Sequence, residues 1–307
     1  PGPDPGAAGV PVRAAPVRFT FVGGTGRCGS SLVQEVLACH PGVGFVSNVD
    51  DLSPVRSLGS ANNAIYARVP PDWRRKGRLR FAPSEGWRSL AREVGPVVCE
   101  PGRDLTAADL TPWLARRFRA YFGDRAAAQR KPAFLHKFTG WPRYGFVEAA
   151  LPGTRFVHLV RDGRAVVSSW LQMPWWRGHL GPTGWHFGSL PPEYAEEWAA
   201  SGESYVILAA VAWKLLLDAF EDAAAKLPAD QHLVVRFEDL MAEPAATFER
   251  VRAFAALEPA GAFDRAVAGA RLEPQRREAW RDELTPEQVA LLDRSLAAHL
   301  ARFGYPA

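Results

Sequence analysis

The chain has 307 residues, 47% apolar and 23% charged, with a net charge of +4. That is enough for one large domain with a sizeable core, and the small positive surplus, without a dense Lys/Arg block, gives no indication of a nucleic-acid partner. Three cysteines without paired spacing, Cys28, Cys39 and Cys99, argue against a disulfide framework or a zinc site and point to a reducing, cytoplasmic setting.

Residues 1–16 are rich in Pro, Gly and Ala. They read as a flexible tail without the charged and apolar regions of a signal peptide, and residues 17–307 as one domain. Arg18–Val22 reads as a buried strand ended by two glycines. Ser30–Cys39 reads as a helix with Leu32, Val36 and Leu37 on one face, stopped by Pro41-Gly42. Val43–Val46 is a candidate second strand. Residues 50–130 are less regular, with one helical pattern over Asp109–Phe122. Then come a strand at Ala133–Lys137, a helix at Tyr144–Leu151, a strong strand at Arg155–Val160 and a helix at Arg164–Leu171. Residues 172–203 are rich in Trp, Gly, Pro and His and show little periodicity. Ser204–Leu227 reads as a long, largely buried helix. Its most apolar stretch, Val206–Trp213, is far too short to span a bilayer. A strand at His232–Arg236 and helices at Ala245–Ala256 and Pro286–Phe303 complete the pattern. Apolar strands alternating with helices predict a three-layer α/β domain, a parallel sheet covered on both faces.

The chemistry concentrates at Gly23-Gly24-Thr25-Gly26-Arg27-Cys28-Gly29-Ser30-Ser31, between a strand and a helix. Backbone N–H groups in such a turn, with the helix end behind them, hold a phosphate-like anion. A nucleotide P-loop has the right glycine spacing at Gly24 and Gly29, but Ser30 stands where its lysine belongs. A cysteine phosphatase loop fails at Gln34, where it needs Arg. A nicotinamide-dependent oxidoreductase remains as the alternative: Gly24, Gly26 and Gly29 satisfy GxGxxG, and Asp50 lies about where the ribose-binding acid would be.

The same stretch, running through Leu32 to His40-Pro41, resembles the 5′-phosphosulfate loop of the sulfotransferases that use 3′-phosphoadenosine-5′-phosphosulfate (PAPS). That loop typically reads R-S-G-[ST]-[ST]-L. Cys28 stands for the usual Ser. A second stretch, Arg161 at a strand end and Ser169 eight residues on, resembles the family's 3′-phosphate motif. Val234 to Leu240 resembles a third, with Phe237 in place of a Tyr that often lies near the adenine. The resemblance implies a P-loop-kinase-like fold and transfer of a sulfuryl group from PAPS to a hydroxyl or amine of a small acceptor, leaving adenosine 3′,5′-bisphosphate (PAP). It implies roles for Arg27 at the sulfate and bridging oxygen, for Gly26, Cys28, Gly29, Ser30 and Ser31 around the 5′-phosphate, and for Arg161 and Ser169 at the 3′-phosphate. Arg276 or Arg277 is the candidate to close over that phosphate. Lys137 is implied as a cation near the sulfate. No metal is required.

For the general base the residues leave Asp50, Asp51 and His136 open, with His179 and His186 next. His136 and Lys137 face opposite sides of a strand, so only one can point into the site. The tryptophan-rich segment suits stacking on a phenol or sugar ring. Acceptor identity and oligomeric state are not legible.

Overall fold

The computed structural model describes residues 17–53, 56–70, 81–100 and 102–306; the expected tail, residues 1–16, lies outside them. One sheet is built from β1 (Arg18–Gly24), β2 (Val43–Phe45), β3 (Ala133–Lys137), β4 (Arg155–Val160) and β5 (His232–Arg236). Its order is β2-β3-β1-β4-β5, and every pairing is parallel. Helices cover both faces, as the alternating pattern predicts.

The pleat sorts the core. Phe21, Phe134 and Phe156 point to one face, against Phe118 and Phe122 of the helix Pro112–Gln129 and Phe146 of the helix Tyr144–Ala150. Val22, Leu135 and Val157 point to the other, against Val33 and Leu37 of the helix Ser30–Leu37 and Phe248 of the helix Pro244–Phe254. A further core joins the helices Gly163–Leu171, Tyr205–Ala224 and Pro286–Arg302 around Trp170, Trp213 and Leu296. With both faces buried, β1, β3 and β4 read as continuous apolar runs.

Some boundaries shift from the sequence expectation. The helix expected at Asp109–Phe122 starts later because the Thr111 hydroxyl caps the Leu114 N–H at 3.2 Å, with Pro112 in the first turn. It continues to Gln129 because Arg125 and Ala126 keep its buried face. The short helices Trp87–Glu93 and Gly261–Ala268 escaped notice because each begins or ends beside glycine and is too brief to show a period.

Two features of the frame position the site. The chain leaves β1 through a helix toward β2 at one edge, while β4 lies on the other side of β1. A crevice therefore opens at the carboxyl ends of these strands, where ligands bind in open α/β sheets. The exit from β4 is also clamped. Asp162 accepts the Arg164 N–H at 2.8 Å and caps the next helix. The buried Arg164 guanidinium donates to Asp162, Asp293 and the Pro306 carbonyl, each at 2.8 Å.

His136 belongs to the core and not to the crevice. It is fully buried with neither ring nitrogen paired, in a cage of Phe21, Phe122 and Phe138 with ring centroids at 5.4, 4.9 and 4.7 Å. Burial first, and then the charges of Lys137 and Arg125, push its pKa down to about 3. The unfolded chain therefore binds a proton at this residue between about pH 6.5 and 3 and the folded chain does not, so stability falls as pH drops through that window. His136→Phe should keep or raise the melting temperature at pH 7, since it removes an unsatisfied buried polar group, and should lose less stability than the parent from pH 6.5 to 4. Equal acid sensitivity in parallel melts would count against a neutral core histidine.

Candidate functional site

The cavity at the strand ends has a volume of about 440 Å³. Its floor is the turn after β1. Gly26 and Gly29 have φ of 88° and 91°, and Arg27, between them, has φ of 56°. These left-handed residues turn the chain out of β1 and into the helix Ser30–Leu37. Gly29 is required twice over: an added Cβ would lie 2.7 Å from the Phe237 ring, and the φ itself disfavours any other residue.

The turn throws Arg27 outward and Cys28 inward. Arg27 is exposed, and its Nε donates to the Ser169 hydroxyl at 2.8 Å. Cys28 is fully buried beneath Gly24; only its backbone can face a ligand. Ser30 and Ser31 line the cavity. At the end of β4 the Arg161 guanidinium donates to the Arg27 carbonyl at 2.9 Å and to the Arg276 carbonyl. It also lies 4.6 Å above the centre of the Phe237 ring. Burial pulls this guanidinium below its ordinary pKa, and its Nε has no partner. Arg276 lines the cavity, with its side chain donating to Glu273, whereas Arg277 is not among the lining residues.

Opposite stands β3. The Lys137 ammonium donates to Glu85 at 2.7 Å, to Ser31 at 3.1 Å and to Thr139 at 3.3 Å. The second Glu85 oxygen accepts the Thr139 N–H at 3.1 Å. Glu85 is the only carboxylate among the described lining residues. Beyond it the wall is aromatic, with Trp141, Trp170, Trp175, His186 and Phe187. Trp170, Trp176 and Phe187 form a three-ring cluster, with centroids 6.0 Å (Trp170–Trp176), 5.5 Å (Trp170–Phe187) and 6.5 Å (Trp176–Phe187) apart.

The model of the sulfotransferase family matches residues 20–260, well over half of the chain. The chain belongs to the sulfotransferase family. Solved sulfotransferases share its fold. They include the sulfotransferase domain from the curacin biosynthetic pathway, with a TM-score of 0.52 and 12% identity over 94% of this chain and 98% of that one. Sulfotransferase STF9 from Mycobacterium avium gives 0.52 and 15% over 95% and 78%. STF1 from Mycobacterium tuberculosis H37Rv gives 0.51 and 17% over 92% and 77%. The fold is thus the P-loop-kinase-like one that the resemblance implied. Among curated proteins, no match is found.

Sulfotransferase membership leaves the nicotinamide alternative without support, and the geometry agrees. Asp50 is not at the glycine turn. It closes a capping box, accepting from the Ser47 N–H at 2.8 Å and hydroxyl at 2.9 Å and from Asn62 at 2.6 Å. Asp51 accepts the Ser89 N–H at 2.8 Å. Neither lines the cavity, and nor does His136. The structure brings together Gly26, Arg27, Gly29, Ser30, Ser31, Lys137, Arg161, Phe237 and Arg276 on its wall, with Ser169 behind Arg27. The three first-named base candidates stand elsewhere; of the two named next, His186 lines the cavity and His179 does not. Sequence reasoning missed Glu85, because it comes from the irregular stretch between β2 and β3. It missed Thr139 although pleat alternation puts position 139 on the Lys137 side.

The family turn depends on its second glycine. Gly29→Ala should cost roughly 1–2 kcal/mol for the left-handed backbone alone, more if Phe237 cannot move. A denaturant midpoint equal to the parent's would mean that turn and ring yield without cost.

Proposed function

We propose that this chain transfers a sulfuryl group from PAPS to a hydroxyl of a small-molecule acceptor, leaving PAP. The observation that carries this reading is the 2.8 Å hydrogen bond from Arg27 to Ser169. It joins, at one lip of the cavity, the two motifs whose combination separates a 3′-phosphorylated nucleotide from ATP or NAD. The residues fit such a ligand. Backbone N–H groups of Gly29 to Ser31 at a helix start would hold the 5′-phosphate. Arg161, with a donor to spare, and Ser169 would hold the 3′-phosphate, and Phe237 would flank the adenine. PAPS supplies the activated sulfuryl group.

The protein's part is positioning, charge and a proton acceptor. Arg27 and Lys137 are fixed cations beside the point where negative charge grows as transfer proceeds, which lowers the barrier without reorganisation. Glu85 is the best-placed base. Each of its oxygens already accepts one hydrogen bond and keeps capacity for another, so it can take the proton of an acceptor hydroxyl. It replaces Asp50, Asp51 and His136 in that role.

PAP should raise the melting temperature by mass action, with NAD and ATP far less effective. Arg161→Ala should weaken PAP by roughly 1.5–3 kcal/mol, the scale of a hydrogen bond to a charged group. A larger shift with NAD than with PAP would refute the reading. Separately, Glu85→Gln should cut turnover roughly 10²–10⁴-fold while PAP affinity stays at the parent's value. Normal turnover would move the base, with His186 the next titratable candidate on the wall.

A further inference from the structure

One cation on the cavity wall has no part in holding the nucleotide or in the transfer step. Arg143 lines the cavity yet is only 1% exposed, and burying a cation away from an opposite charge is costly. Its guanidinium makes no ion pair among the described residues. It is bound instead to carbonyls, those of Val98 at 3.2 Å, Trp141 at 2.7 Å and Glu100 at 3.2 Å. Burial is the first cause that pulls its pKa below the ordinary arginine value, and Asp104 leads the charges that oppose this. The backbone is unusual too. The Arg143 N–H donates to Asp104 at 2.6 Å, and its φ of 56° is left-handed. A buried cation in a disfavoured backbone conformation persists only where the surrounding structure over-determines it.

The neighbours of Arg143 show what it braces. Its guanidinium lies 5.3 Å from the centre of the Trp87 ring and 5.2 Å from that of Phe138, and these two rings pack on each other at 5.4 Å. Trp87 opens the helix Trp87–Glu93, two positions after Glu85. Phe138 comes directly before Thr139, whose N–H donates to one Glu85 oxygen at 3.1 Å. The bond between Glu85 and Thr139 therefore joins the same two segments that Arg143 joins through their rings. Residues 82–86 belong to no helix and no sheet strand, so the orientation of Glu85 depends on where Trp87 is anchored. The stretch that supplies the Val98 and Glu100 carbonyls backs onto the same residue, since the Cys99 thiol donates to the Trp87 carbonyl at 3.3 Å. A flat fork with several donors and two stacking faces suits three carbonyls and two rings, which an ammonium does not.

We propose that Arg143 is a positioning residue for Glu85. It clamps Trp87 against Phe138 and so holds the Glu85 carboxylate on the Thr139 N–H, facing the cavity. This rests on the reading of Glu85 as the proton acceptor in sulfuryl transfer and adds the residue that aims it. Arg143 acts through the two rings and not on the reacting atoms, and no step of the transfer passes through it. A misplacement of a reacting group by about 1 Å can cost roughly 10²-fold in rate, which is the scale on which such a brace matters.

The test compares the parent with Arg143→Met and Trp87→Leu, each alone and combined with Glu85→Gln. Amide hydrogen exchange reads the brace directly. Thr139 donates to the Glu85 side chain, whereas its neighbours Phe138 and Gly140 donate to the Val22 and Gly24 carbonyls, each at 3.0 Å. Loss of the brace should speed exchange at Thr139 by at least about 10-fold while Phe138 and Gly140 keep the parent's rates. Turnover is read with PAPS and 2-naphthol, cyclohexanol or methyl glucoside, whichever reacts fastest. Arg143→Met should lower kcat by roughly 10–100-fold at unchanged PAP affinity. In the Glu85→Gln background it should lower kcat by less than about 3-fold, because a residue that acts only through Glu85 then has nothing left to aim. Trp87→Leu, at a half-buried position, should give the same pattern and carries the test if Arg143→Met does not fold. Parent-like exchange at Thr139, equal acceleration at all three amides, or a full further loss of turnover in the Glu85→Gln background overturns the proposal and leaves the reading of the base standing. Normal turnover by Glu85→Gln overturns both. The amide measurement needs no acceptor and decides alone if none of the three reacts.

Discussion

Arg161 is nearly out of water, and burying a cation without an opposite charge is costly. Its guanidinium nevertheless makes no ion pair among the described residues, and donates instead to the carbonyls of Arg27 and Arg276. Those two bonds tie the glycine turn after β1 to the short segment Pro274–Arg277, across the end of β4. The same guanidinium covers Phe237, whose ring in turn fills the space that a side chain at position 29 would need. Turn, strand end and C-terminal segment are thus organised around one incompletely neutralised charge. Its neighbour Asp162 is held the other way, by Arg164 and by the start of a helix, so it cannot swing over to quench Arg161. In the proposed function, a bound phosphate is what meets this charge.

Pleating decides the opposite wall. β3 carries His136 and Lys137 side by side, and parallel pairing places them beside Phe21 and Val22 of β1. The Phe21 side is a closed aromatic core, in which a histidine has no partner and stays neutral. The Val22 side reaches the helix Ser30–Leu37, where an ammonium finds Ser31, Thr139 and Glu85. One residue step along a strand separates a core filler from a cation that faces the cavity. Had the register slipped by one, the charge would sit among phenylalanines at a large desolvation cost.

Much of the site was legible because its parts are local. A left-handed turn between strand and helix needs glycine at fixed positions, so Gly26 and Gly29 announce themselves. An arginine ending a buried strand, with a serine one helix face further on, is equally local. Glu85 and Thr139 were not legible. Glu85 reaches the cavity from a stretch with no period, joined to the end of β2 by an antiparallel bridge between Ser47 and Pro83. Asp50 and Asp51 looked better placed, as acids just past the second strand. But the chain turns there into the short helix Asn48–Leu52, and the N–H of its cap residue Ser47 claims the Asp50 carboxylate for a capping box.

The residues alone therefore determined the layer architecture and the glycine turn, and they put one arginine in that turn and another directly after β4. Each of these follows from periodicity, backbone sterics or charge within a few residues of chain. Only the tertiary structure decided which carboxylate faces the cavity and which rings of the tryptophan-rich segment line it. It also decided that Arg27 meets Ser169 across 142 positions of chain. Those outcomes depend on how distant segments compete for the same buried space and the same donors, and no local pattern encodes that competition.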